Sequence, residues 1–113
     1  MYTPSRNILS CHLSGFAHHD GAQVFSRLEM GTPLELEAEP DNPYDGAAIS
    51  VSYQGKKLGY IPRAHNGMLS QLLFFGHGAI LEARVNRVTP DVAPESQIGI
   101  VVSVKDVREE VQQ

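Results

Sequence analysis

Hydrophobic and polar positions alternate most cleanly over residues 33–39, PLELEAE. Leu34, Leu36 and Ala38 fall on one side and Glu35, Glu37 and Glu39 on the other, the period of a half-buried strand. AAISVSY at 47–53 repeats the pattern with Ile49, Val51 and Tyr53, and KKLGYIP at 56–62 follows the tight Gln54-Gly55 turn. With the polar turn DNPYDG at 41–46 between the first two, these strands predict a β-meander. ILSCHLSGF at 8–16 reads as an earlier strand, with Ile8, Cys11, Leu13 and Phe16 inward and imperfect alternation. AILEARVNRV at 79–88 and QIGIVVSVKDV at 97–107 are two later strands, separated by the Pro-rich loop TPDVAPES at 89–96.

Two stretches have a different period. AQVFSRL at 22–28 places Val24, Phe25 and Leu28 on one side, and Gly31 ends it as a glycine C-cap would. Pro62 breaks the meander, and from 64 to 75 Met68, Leu69, Leu72, Leu73 and Phe75 stand at helical spacing. Gly67 weakens that helix by about 1 kcal/mol relative to Ala, and Gly76-His77-Gly78 stops it. The order is β-α-β-β-β-α-β-β. It predicts a mainly β fold with two short helices, a small OB-like or SH3-like barrel in which the second helix plugs an open side. Residues 1–113 make one domain, with its core over about 8–107 and a polar tail at 108–113. Leu36, Ile49, Val51, Leu58, Ile61, Leu69, Leu72, Val85 and Val102 are the expected buried positions.

The hydrophobic fraction of 42% suits a packed core. No apolar run reaches the ~18 residues of a membrane span, and the start MYTPSRNILS has no long apolar segment of a signal peptide. A lone cysteine, Cys11, fits a reducing, cytoplasmic setting. The net charge of -4 argues against a broad phosphate-gripping groove, though not against a small site for one or two phosphates. The charge is also uneven. Glu29, Glu35, Glu37, Glu39, Asp41 and Asp45 come with no base among them, and the stretch 54–66 then holds Lys56, Lys57, Arg63 and His65 with no acid. If the two stretches fold together, an acidic edge meets a basic one.

Catalytic chemistry is not visible. CxxC, HExxH, GxSxG and P-loop patterns are absent. Cys11 and His12 on one strand face opposite sides, which spoils a shared metal or thiol site with His18 and His19. The expectation is no enzyme, no metal and no cofactor. The DNPYDG turn is different. Asp41, Asn42, Pro43 and Gly46 are ordinary turn residues, but Tyr44 is not. Its ring either caps the barrel end or, paired with Asp45, forms a platform for a nucleoside. In the second case the ring stacks on a base and the carboxylate accepts a sugar hydroxyl. Tyr60 and Arg63 would add a second contact face and a cation for phosphate.

From Leu34 to Arg63 the chain reads LELEAEPDNPYDGAAISVSYQGKKLGYIPR, and MLSQLL follows at 68–73. This resembles the HIRAN domain. Its members carry a motif like L-x-x-EPxNPYDxxAIxV, a short hairpin, and G-Y-[IL]-P-[RK] leading into a helix with a Leu-rich face. LSGF at 13–16 matches the family's early strand with a glycine, and the resemblance spans residues 8–104. It implies an OB-like small barrel. Family members occur fused to helicases and nucleases or as short free-standing proteins. In the eukaryotic DNA-repair translocases the module captures the free 3'-hydroxyl end of single-stranded DNA. Carried over, the resemblance gives Tyr44 the terminal bases, Asp45 the 3'-hydroxyl, Asn42 the shaping of the pocket and Arg63 a phosphate. Tyr60 stands where that branch has a histidine. That branch also has an Arg-Tyr pair just after the first-strand glycine. Here Ala17 replaces the arginine and His18 the second aromatic, which lowers stacking area and removes a cation.

The expected function is therefore a non-catalytic module that binds the 3' end of single-stranded DNA, with a helicase or nuclease acting in trans as the partner the family's fusions imply. The alternative is a protein-interaction or self-assembly module, in which an edge strand and the loop at 89–96 dock a partner or a second copy.

Overall fold

In the computed structural model, residues 5–16, 24–93 and 96–105 are described. The alternating segments form six strands: β1 (Ser5–His12), β2 (Pro33–Ala38), β3 (Ile49–Tyr53), β4 (Lys56–Tyr60), β5 (Leu81–Val88) and β6 (Ile98–Lys105). They make one antiparallel sheet in the order β1-β6-β5-β2-β3-β4. The meander β2-β3-β4 stands as read. Its second hairpin closes on Gln54 and Gly55, whose φ values of 49° and 83° are those of a tight turn between twisted strands.

β2 is the hinge of the sheet. Pro33 and Leu34 pair with Arg84 and Ala83 of β5, whereas Glu35 to Ala38 pair with Ser52 to Ile49 of β3. The sheet therefore bends within one strand, and its outer strands curl toward each other. Among the described residues the six-stranded sheet does not close into the barrel expected from the sequence. Among the described residues, the chain just past β1 meets the end of β4 at one isolated bridge, Ser14 with Tyr60. Its two backbone hydrogen bonds are 2.8 and 2.9 Å long. The approach depends on Gly59, where a Cβ would lie 2.5 Å from the Ser14 carbonyl oxygen. Gly15, at φ 76°, then turns the chain so that Phe16 enters the core.

The helix bounds differ from those expected where they are described. Among the described residues one complete α-helix stands, α1 (Gly67–Phe74), with single 3-10 turns at Phe25–Arg27, Arg63–His65 and Gly78–Ile80. Of the segment read as a helix over 22–28, Val24 is α-helical and Phe25–Arg27 form a 3-10 turn; Val24 and Leu28 are buried, and the Phe25 ring lies 6.1 Å from that of Phe16. Residues 22 and 23 lie outside the described residues. The helix read over 64–75 begins only at Gly67, because Pro62 hands the chain to a 3-10 turn and Asn66 is held by a contact outside the helix. Gly76, at φ 91°, ends it.

The core joins Leu13, Phe16, Val24, Leu28, Leu34, Ile49, Val51, Leu58, Ile61, Leu69, Val85, Ile98, Ile100 and Val102. Seven of the nine expected positions are buried, and Leu36 and Leu72 are only half-buried against the same cluster. An eight-residue helix turns one narrow face inward, so Leu69 is buried while Met68 and Phe75 are 75% and 69% exposed. Ile8 is exposed because it falls at the irregularity between Asn7 and Leu9, where β1 slips against β6. Cys11 is half-buried, and burial pushes its thiol up. No helix among the described residues is long and apolar enough to cross a membrane.

Candidate nucleic-acid interface

The turn between β2 and β3 is built by Asn42. Its backbone N–H donates to the Glu39 carbonyl at 3.0 Å, and its Oδ1 accepts the N–H groups of Tyr44 (2.8 Å) and Asp45 (3.2 Å). The loop base closes through Glu39 N–H to the Ala48 carbonyl and Ala48 N–H to the Asp45 carbonyl. Gly46 is not needed for its backbone freedom. Its φ is not positive, and a Cβ there would only touch the Pro40 oxygen at 3.8 Å. Asn42 thus fixes the backbone of Tyr44, while the Tyr44 side chain is left 85% exposed. A ring that caps a barrel would be buried, so that alternative is removed.

The Asp45 side chain, by contrast, is held by partners. Its Oδ1 accepts the Ala47 N–H at 2.9 Å, and its Oδ2 accepts the Asn66 side-chain amide at 2.9 Å. The Arg63 Nε is 3.5 Å from the same oxygen, and the Arg63 Nη2 donates to the Tyr44 carbonyl at 2.8 Å. The Ala47 N–H, then Asn66, then the Arg63 charge outweigh partial burial and hold the Asp45 carboxyl below its ordinary range. Asp45 is therefore an anion at neutral pH, aimed by partners on two other elements.

A second cluster forms the neighbouring wall. The Glu39 carboxylate accepts the Tyr60 hydroxyl at 2.8 Å and the Asn42 amide at 3.1 Å on Oε1, and Lys57 Nζ at 2.8 Å on Oε2. Lys57 also donates to the Tyr60 hydroxyl at 3.0 Å and lies 5.0 Å from that ring's centroid. Partial burial works against ionisation of Glu39, but the hydrogen bonds from Lys57, Asn42 and Tyr60 prevail and lower its pKa. The same bonds, from Glu39 first and Tyr60 second, raise that of Lys57. The acidic and basic stretches of the sequence do meet, and they do so in these two pairs, Glu39 with Lys57 and Asp45 with Arg63.

Five of the six residues singled out from the sequence, Asn42, Tyr44, Asp45, Tyr60 and Arg63, line one open cleft of about 880 Å³. The sixth, His18, lies outside the described residues, as does Ala17. Ser14, Gly15 and Asn66 also line the cleft and were not anticipated, nor was Glu39 as an organising group. Glu39 hides in the sequence as one more outward position of an alternating strand. Its place directly before Pro40 and the DNPYDG turn was the available signal. Asn66 looks like a helix cap, but it makes no side-chain cap bond to α1. No group of three or more His, Cys, Asp or Glu side chains suited to a metal ion occurs among the described residues.

A model of the HIRAN domain family matches residues 7–105. Among solved structures, the fold is similar to that of a Lactobacillus plantarum protein, with a TM-score of 0.77 at 22% identity, covering 93% of this chain and 99% of that one. It is also similar to the HIRAN domain of human HLTF, with a TM-score of 0.60 at 19% identity, covering 89% of this chain and 77% of that one. A comparison with curated proteins finds no match.

Proposed function

The chain belongs to the HIRAN domain family, a family associated with DNA binding, and from that premise we propose that its cleft receives the free 3'-hydroxyl end of single-stranded DNA without catalysing a reaction. The supporting observation is the placement of an oriented carboxylate, Asp45, beside an exposed ring on a pinned backbone, Tyr44, with the Arg63 guanidinium between them. A carboxylate accepts a hydrogen bond from a sugar hydroxyl and repels a phosphate, so it suits the position where a strand ends. Tyr44 supplies a face for the terminal base. Arg63 has five N–H donors, and those not engaged by Tyr44 and Asp45 can meet the phosphate one sugar back. Asn42 and Glu39 hold the turn, and Tyr60 forms the wall. His18 joins the proposal on sequence alone, as a second surface for stacking.

The test compares two short single strands, identical except for a 3'-hydroxyl or a 3'-phosphate, by fluorescence anisotropy at low salt. A preference of about tenfold or more for the hydroxyl is expected, the scale of one charged hydrogen bond lost and replaced by repulsion. Equal binding of the two strands would overturn end recognition.

A further inference from the structure

A second surface adjoins the cleft and has no part in the reading above. Phe74 and Phe75, at the end of α1, are 58% and 69% exposed. Their rings meet edge to face, with centroids 5.2 Å apart and planes at 82°, so each limits the other's rotation. The Phe75 N–H is tied to the Gln71 carbonyl and Gly76 turns the chain away immediately after, which leaves both rings at a corner. They border a small groove of about 180 Å³, whose other walls are Ala38, Pro40, Gly46, Ser70 and Gln71. Ala38 and Pro40 also line the main cleft. Gly46 is two residues from Tyr44. The groove and the cleft are thus two sides of one ridge made by the start of the DNPYDG turn.

Charge distinguishes the occupants this surface can take. Between Asp45 and Glu82 the chain has no Asp or Glu, its longest run without an acid, although it has 13 acids in all. That run holds Lys56, Lys57 and Arg63 with His65 and His77, and it contains α1 and its two phenylalanines. A polyanion leaving the cleft meets repulsion on the β2 side, where Glu35 and Glu37 face solvent, and none from the α1 segment itself. Exposed aromatic rings along such a track stack on bases without regard to sequence.

We propose that Phe74 and Phe75 form a second stacking platform, which takes a base upstream of the terminal nucleotide as the single strand passes from the cleft over Pro40. This rests on the cleft being a site for a single-strand end. Tyr44 then sets recognition of the end, and the phenylalanine pair makes affinity grow with strand length.

The experiment measures anisotropy of 5'-labelled oligothymidylates with a 3'-hydroxyl, of about two, four and eight nucleotides, against the wild type, the double variant F74A/F75A and Y44A. The wild type is expected to bind the longer strands about tenfold or more tightly than the dinucleotide. The double variant should lose that gain and keep the dinucleotide affinity, while Y44A should weaken all lengths. A double variant with unchanged length dependence, or with equal loss at every length, overturns the platform while leaving the cleft reading in place. A wild type that binds no strand of any length removes the cleft reading and this inference together. Light scattering on the same samples supplies the remaining outcome. A concentration-dependent dimer abolished by F74A/F75A would make the pair an interface between copies and overturn the proposal.

Discussion

Asn66 donates its side-chain amide to Asp45 Oδ2 at 2.9 Å, across 21 positions of sequence, from a site only 3% exposed. It occupies the N-cap position of α1 and makes no cap bond with its side chain. A residue well suited to capping has given that contribution up in order to aim a carboxylate. Asn66→Ala should therefore weaken the discrimination between 3'-hydroxyl and 3'-phosphate strands by about tenfold, because Asp45 loses a partner that fixes its rotamer. Asn66→Asp should do worse, since two carboxylates would face each other. A variant with native selectivity would make the contact purely structural.

The Glu39–Lys57–Tyr60 cluster predicts a pH dependence of stability. Glu39 and Asp45 have lowered pKa values in the folded chain. In acid, between the folded and ordinary values, the unfolded chain binds more protons, so stability rises with pH there and is lost as pH falls through the folded values. Lys57 has a raised pKa. Its contribution is complete below the ordinary lysine value and is lost as pH rises through the folded one. The melting temperature should therefore form a plateau near neutrality with an acid and an alkaline limb. Glu39→Gln should flatten both limbs, because it removes the carboxylate and the partner of Lys57. Unaltered limbs in that variant would place the pH sensitivity elsewhere.

Gly59 predicts a backbone effect. A methyl group there would lie 2.5 Å from the Ser14 oxygen and 3.4 Å from the Ser14 carbonyl carbon, both backbone atoms that cannot swing aside. Gly59→Ala should force the Ser14–Tyr60 bridge apart and destabilise the fold by ~1–3 kcal/mol, the usual scale for overpacking. It should also disturb the cleft, since Ser14, Gly15 and Tyr60 all line it. Denaturant unfolding with a change below about 0.5 kcal/mol would mean that the two chain segments separate freely.

Strand alternation was legible because its period is local. β2, β3 and β4 fall where PLELEAE, AAISVSY and KKLGYIP place them, give or take end residues. Closure was not legible. Whether six bent strands zip shut depends on how the outer two approach, and among the described residues Gly59 admits the single bridge Ser14–Tyr60. Helix length failed for a similar reason. The helix read over 64–75 starts at Gly67, because Arg63 and Asn66 are engaged by the turn from Tyr44 to Asp45, a contact made only in three dimensions. The site residues were legible as a motif, yet their roles were not all foreseen. The sequence shows Glu39 as a surface charge, whereas the fold makes it the shared acceptor of Asn42, Lys57 and Tyr60.

Tyr44 and Arg63 separate stacking from charge. Tyr44 buries almost nothing and its backbone is pinned by Asn42, so Tyr44→Ala should leave the melting temperature within about 2 °C of the wild type. Its binding of a 3'-hydroxyl strand should fall by ~1–3 kcal/mol, the worth of one base stacked on one ring. That loss should be independent of salt, because no ion is released when a neutral ring is removed. Arg63→Ala should behave in the opposite way. It removes one cation near the strand, so the slope of log affinity against log salt should become shallower by roughly 0.7, the value for one single-strand phosphate. It also removes the donor to the Tyr44 carbonyl, so some affinity will be lost at every salt concentration through a looser turn. Titrations of both variants at several salt concentrations give the two slopes directly. A Tyr44→Ala line parallel to the wild type and an Arg63→Ala line of lower slope are expected. If the Arg63 line is parallel as well, the guanidinium serves only to brace Tyr44 and Asp45, and the phosphate must be met by another residue.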